Sequence, residues 1–187
     1  MACHTFARRI TLAALILLGS GCATTSASRI DASDELPHFV QVDEGYSRGG
    51  QPTEEGVRKL ARMGVKTIIN LRHRTNGMQW EQHLCEELGM RWVNIPMYYF
   101  WRPSDRQVKE FLALVNDPAN RPVFVHCRKG RNRAGIMTAM YRMARHRWSP
   151  QDAYAEGLGL GMARWNPMTR YWLFRKAPRE LLPQPGM

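Results

Sequence analysis

"PVFVHCRKGRNRAGIM", residues 122–137, sets an apolar, β-prone run against His126-Cys127, then crowds four basic residues into positions 128–133 before helix formers resume. A core strand has no need of a Cys at its end, and an ordinary turn has no need of so much positive charge. The stretch predicts a strand, a tight loop and a helix starting near Arg133. A thiolate is a nucleophile where a thiol barely is, so a loop built around Cys127 has to stabilise negative charge. Backbone N–H groups curled toward the helix N-terminus supply such potential. Gly130 permits backbone angles closed to other residues. Arg133, six residues after the Cys, carries a planar fork that grips two oxygens of one anion. His126 sits where it can bond backbone groups and orient the loop. Such a loop suits phosphoryl transfer to sulfur followed by hydrolysis.

Outward from the loop, strand and helix patterns alternate without an internal repeat. "FVQV" (39–42) reads as a short strand and "YSRGGQP" (46–52) as a glycine-rich turn. Thr53 caps a helix with Glu54 and Glu55 in its first turn and Val57, Leu60 and Ala61 on its apolar face; Gly64 ends it. "VKTIINL" (65–71) is a buried strand. Trp80, His83, Leu84 and Leu88 mark a second helix ended by Gly89, and the strand "RWVNIP" follows. Ser104 and Gln107 form a capping box opening a helix with Val108, Phe111, Leu112 and Val115 inside. Ser149-Pro150 starts a helix, and an aromatic-rich one follows Pro167. The expectation is an α/β fold: a parallel-rich central sheet with helices on both faces, its ligand beyond the carboxyl ends of the strands.

The chain has 187 residues, 44% of them apolar, enough for one domain with a sizeable core. Its formal charge of +11 favours anionic partners. Cysteines 3, 22, 85 and 127 have no zinc spacing and make no dense disulfide framework. His73 and His83 have no carboxylate or Cys at ligand spacing, so no metal is expected. Arg8 and Arg9 precede the apolar run Ile10–Leu18, too short for a permanent membrane span and typical of a signal peptide. "LLGSGC" (17–22) resembles the lipobox of bacterial lipoproteins, with Gly19 where Leu is usual. That resemblance implies lipidation of Cys22 and, with Ala23 next, attachment to the outer membrane facing the periplasm; an ordinary cleaved signal is the alternative. The domain reading is a signal peptide over 1–21, a flexible tether over 22–37 and a catalytic domain over 38–182. Removal of residues 1–21 leaves +9, so the basic character belongs to the domain, either to bind an anionic partner or as a dispersed cationic surface facing anionic lipid.

His126-Cys127-x-x-Gly130-x-x-Arg133-x-Gly135 resembles the signature of the cysteine-based protein tyrosine and dual-specificity phosphatases. "YSRGGQPTEEGVRKLARMGVKTIINLR" (46–72) resembles the opening of a bacterial and plant-fungal dual-specificity-like branch, and the likeness spans roughly 39–176. It implies a metal-independent phosphomonoesterase, needing no cofactor, with Cys127 as nucleophile. Arg133 would bind phosphate, and the backbone of Arg128, Lys129, Gly130, Arg131, Asn132 and Arg133 would form its cradle. Two positions depart from the pattern. Ala134 stands where the family has a hydroxyl that helps the thiolate leave. No Asp precedes Asp105 in "IPMYYFWRPSD", and Asp105 is either the general acid or a carboxylate stabilising a helix N-terminus. Without an acid, substrates with good leaving groups are favoured.

Three further features carry two readings each. Tyr98, Tyr99, Phe100 and Trp101 either wall the pocket or pack a loop. Arg128, Lys129 and Arg131 either recognise additional phosphates of a polyanionic substrate or raise the local potential. Cys85 is either a core residue or a redox partner of Cys127. Partners are then a phosphorylated protein or small polyanion, and a membrane through Cys22, with no nucleic acid. A phosphate-binding pseudophosphatase and a rhodanese-like sulfurtransferase are the rival functions; the latter's usual loop is shorter, and phosphate chemistry is what requires Arg133.

Overall fold

The computed structural model describes residues 28–29, 33–73, 77–98, 102–164 and 173–174. Within them six strands form one sheet: β1 (Ser28–Arg29), β2 (Val40–Asp43), β3 (Tyr46–Gly49), β4 (Thr67–Arg72), β5 (Arg91–Met97) and β6 (Val123–His126), in the order β1-β2-β3-β6-β4-β5. β3, β6, β4 and β5 run parallel, while β1 and β2 add an antiparallel edge. Five α-helices accompany them: α1 (Glu54–Arg62), α2 (Gln79–Glu87), α3 (Asp105–Asn116), α4 (Asn132–His146) and α5 (Pro150–Gly159). The fold is the expected α/β architecture.

Local chemistry starts the helices where expected. The Thr53 hydroxyl accepts from Gly56 N–H, Ser149 caps α5 with Pro150 in its first turn, and Ser104 and Gln107 close a reciprocal capping box on α3. Gly64 and Gly89, both with positive φ, follow α1 and α2. The helix expected after Pro167 lies outside the described residues except at Leu173 and Phe174, which are helical.

Alternation along the strands divides the core. Ile69 and Leu71 of β4 and Val123 and Val125 of β6 face one side, packed against α3, α4 and Ala153 of α5. Ile68 and Phe124 face the other, with Val57 and Leu60 of α1 and Leu84 and Cys85 of α2. Helices therefore cover both faces. α4 is buried at every position from Ala134 to Met143, which explains its weak amphipathic pattern.

One expectation is corrected. Residues 46–49 of "YSRGGQP" are not a turn but β3, buried at all four positions and paired with β6 from Tyr46↔Val123 to Gly49↔His126. Polar residues and glycines hide strand propensity, and β3 is stabilised on both edges, by the neighbouring β2 and by β6, a partner 77 positions away in the chain. In the segment read as a tether, Ser28–Arg29 pairs with β2, Leu36 is buried and the Glu35 carbonyl accepts Thr53 N–H.

Candidate active site

β6 ends at His126, and Cys127 follows at the carboxyl edge of the sheet, 3% exposed. It opens into a cavity of about 420 Å³ lined by Cys127, Arg128, Lys129, Arg131, Asn132, Arg133, Gly161 and Ala163. All but the last two were candidates from sequence. Gly161 and Ala163 come from the turn after α5, held to the loop by Ala163 N–H donating to Asn132 Oδ1 at 2.9 Å. The glycine-rich "GLGLGM" (157–162) was the available signal for a tight wall there.

The loop's carbonyls are bonded at its back. Gln51 N–H donates to Arg128 O at 3.3 Å, Arg48 Nη2 to Gly130 O at 2.5 Å and Arg131 O at 3.2 Å, and Gly135 N–H to Arg131 O at 2.9 Å. In a trans peptide the C=O and the next N–H point in opposite directions, so the amides of Lys129, Arg131 and Asn132 are turned the other way. That is a concavity suited to an anion. Gly130 has φ +67°, and a Cβ there would lie 2.5 Å from Gly49 C and Gly50 N. No other residue fits this contact between the loop and β3.

Arg133 is half-buried, its Nη1 donating to Met97 O at 3.1 Å and Leu71 O at 3.5 Å, at the ends of β5 and β4. Arg128, Lys129 and Arg131 are exposed at the rim, with Arg131 Nη2 3.2 Å from His38 Nε2. Ala134 is fully buried behind the loop.

His126 points to the opposite face from the apolar core of α4. It is fully buried and stacked on Phe124, and neither ring nitrogen makes an aligned hydrogen bond. Its Nε2 lies 3.1 Å from Glu81 Oε1, an ion-pair contact if the ring is protonated, in place of the backbone bonds expected from sequence. Glu81, 0% exposed on α2, also accepts from Gln51 Nε2, Asn70 Nδ2 and Trp92 Nε1. Burial alone would raise this carboxyl, but His126 and the bonds from Trp92 and Asn70 hold it down at about 2. Sequence reading missed Glu81, although its spacing with Leu84, Cys85 and Leu88 puts it on the buried stripe of α2.

Asp105 is not among the cavity-lining residues. It is exposed in the first turn of α3, 4.0 Å from Arg102. Cys85 is buried on the α2 side of the sheet, in the cluster opposite the one holding Cys127, and burial beside Glu81 and Glu86 pushes its thiol up to about 12. The sheet thus separates the two thiols. Tyr98 is exposed with its ring 4.2 Å from His73, while Tyr99, Phe100, Trp101 and Cys22 lie outside the described residues.

A Cys-bearing anion loop between a parallel strand and a buried helix defines the class, and comparison with known proteins agrees with it. Residues 28–163 match the family described as DSP-PTPase phosphatase fused to NAD+ kinase, and the chain belongs to that family. It is 31% identical over 106 residues to a probable chloroplastic NAD kinase 2 of Oryza sativa subsp. japonica, covering 54% of this chain and 11% of that protein. The chain thus spans about a tenth of the length of the first curated relatives it matches. An Arabidopsis thaliana inositol diphosphatase, DSP4, is 28% identical over 64% of this chain and 61% of its own length. The dual specificity protein phosphatase TpbA of Pseudomonas aeruginosa is 28% identical over 79% of this chain and 70% of its own. The P. aeruginosa TpbA crystal structure superposes with a TM-score of 0.68 over 85% of this chain and 95% of that one, at 24% identity, which establishes the shared fold.

Proposed function

We propose that this protein is a cysteine-dependent phosphatase that hydrolyses phosphate monoesters through a phosphocysteine intermediate. The observation that carries the reading is the opening of Cys127 and Arg133 into one cavity over a loop whose carbonyls are bonded behind it. The Cys127 thiolate attacks phosphorus, forming S–P as P–O breaks. The ester oxygen leaves as an anion that takes its proton from solvent, and water then cleaves S–P, releasing phosphate and the thiolate. Arg133 and the amides of Lys129, Arg131 and Asn132 hold the equatorial oxygens as charge develops. His126, fixed by Glu81, anchors the strand end from which Cys127 projects.

The exposed Arg128, Lys129 and Arg131 favour dense negative charge, as in small polyphosphates, and relatives named as an inositol diphosphatase and as dual specificity phosphatases both lie within that chemistry. With Asp105 outside the cavity lining, substrates with good leaving groups, aryl phosphates and phosphoanhydrides, are turned over best. "LLGSGC" supports a lipid anchor at Cys22 holding the enzyme on the periplasmic side of a bacterial envelope.

Phosphate release from p-nitrophenyl phosphate, inositol polyphosphates and phosphotyrosine peptides tests this. Activity lost in Cys127→Ser supports it; equal activity in that variant overturns it. Ala134 and the position of Asp105 favour a second reading, a phosphate-binding protein without turnover, and wild-type protein that binds phosphate but releases none establishes that reading instead.

A further inference from the structure

Arg48 is 1% exposed on β3, yet Nη2 alone of its nitrogens is hydrogen-bonded; Nε and Nη1 are buried without a partner. A guanidinium held this way is expensive, and it persists where a charge compensates it. The charges around it narrow the choice. Glu156 on α5 is taken by Arg142, with contacts of 2.6 to 3.1 Å. Tyr46, its neighbour on β3, is a phenol pushed well above its ordinary range by burial, so it is no anion. Burial drives Arg48 below its ordinary value, while Tyr46, Cys127 and Glu156 are the groups that pull it back. On the cavity side, Arg128, Lys129, Arg131 and Arg133 surround Cys127 with further positive charge, and His126 is turned away toward Glu81. Cys127, at the start of the loop whose Gly130 and Arg131 carbonyls Arg48 holds, is the group left to neutralise it.

We infer that Arg48 is a positioning residue of the phosphate loop with two linked roles. Its Nη2 bonds to the Gly130 and Arg131 carbonyls keep those peptide units turned so that their amides face the anion, and its charge stabilises the Cys127 thiolate from behind the loop. Rim arginines in contact with water are screened and mobile, whereas a buried charge is neither. The inference rests on Cys127 being ionised within the loop, a premise it shares with the proposed function.

The test compares full-length Arg48→Met, Arg48→Lys and Arg48→Gln with wild type. Iodoacetamide labelling of Cys127 is followed from pH 4 to 10 by mass spectrometry, with buried Cys85 as internal control, and inorganic phosphate binding is measured by calorimetry. Arg48→Met, matched in length but neutral, should move the labelling midpoint upward by about one pH unit or more and weaken phosphate roughly tenfold. Arg48→Lys keeps the charge, so its midpoint should stay within about half a unit of wild type while phosphate still weakens through loss of the planar fork. A folded Arg48→Met protein with wild-type midpoint and affinity overturns the inference. If Arg48→Met does not fold, equal midpoints in Arg48→Lys and Arg48→Gln overturn the charge role, and a higher midpoint in Arg48→Gln supports it. Labelling needs no turnover, so shifted midpoints in an inactive wild-type protein would refute the phosphatase reading and leave this one standing.

Discussion

Glu81 Oε1 and His126 Nε2 lie 3.1 Å apart, both side chains buried, on the side of the sheet opposite the apolar face of α4. The contact fastens the residue preceding Cys127 to α2, at the carboxyl end of β6 where the loop begins. Replacing Glu81 by Gln removes the charge and leaves His126 facing an amide. The variant also weakens the charge-assisted bonds from Asn70 and Trp92, so its urea midpoint at pH 7 should be lower than that of wild type. Glu81 is lowered from 4.5 to about 2, so its contribution is complete above pH 4.5 and fades as pH falls toward 2. The gap between wild type and variant should therefore narrow between pH 4.5 and 3; a constant gap would show that packing, not charge, holds the contact.

Arg133 and Arg131 should separate by substrate. Arg133→Lys keeps the charge and loses the fork, so turnover of p-nitrophenyl phosphate should fall on the order of 10²-fold or more. Arg131→Ala, at the exposed rim beside His38, should act mildly on that substrate and strongly on KM for polyphosphates. Equal losses on the aryl phosphate would contradict this division.

Ala134 offers no hydroxyl to the Cys127 sulfur that the proposed mechanism releases. Rapid mixing with an aryl phosphate should give a burst near one equivalent followed by a slower steady state, because phosphocysteine breakdown limits turnover. Ala134→Ser should raise the steady rate and shrink the burst. A hydrogen bond to a charged group is worth about 1.5–3 kcal/mol, or roughly ten- to a hundredfold if fully expressed in the transition state. Unchanged phases would mean that another group already assists the sulfur.

Asp105 faces Arg102 at the start of α3. Asp105→Asn should cost about 0.3–1 kcal/mol of stability and change kcat on aryl phosphates by less than about threefold. A drop of about 10²-fold confined to alkyl phosphates, whose leaving groups need a proton, would instead make Asp105 the general acid.

Cys22→Ser tests the anchor. The wild-type chain should partition with membranes and take up labelled fatty acid, and the variant should do neither. Retention of the variant on membranes at high salt would point to another tether.

The elements legible in the sequence are those whose causes are local. Thr53, Ser104 and Ser149 announce their helices because a cap is satisfied within three residues, and "VKTIINL" announces a buried strand by composition. The loop was legible too, because Cys127 and Arg133, which share its cavity, lie six positions apart. What tertiary structure decided is pairing across distance. Tyr46–Gly49 is an interior strand, held between β2 on one side and the distant β6 on the other, and Arg48, polar by every sequence measure, is core because the loop folds over it. Glu81 reaches His126 across 45 positions, and the turn carrying Gly161 and Ala163 closes the cavity through Asn132. Burial and charge compensation are properties of three-dimensional neighbourhoods, and no local pattern of residues encodes which distant groups will share one.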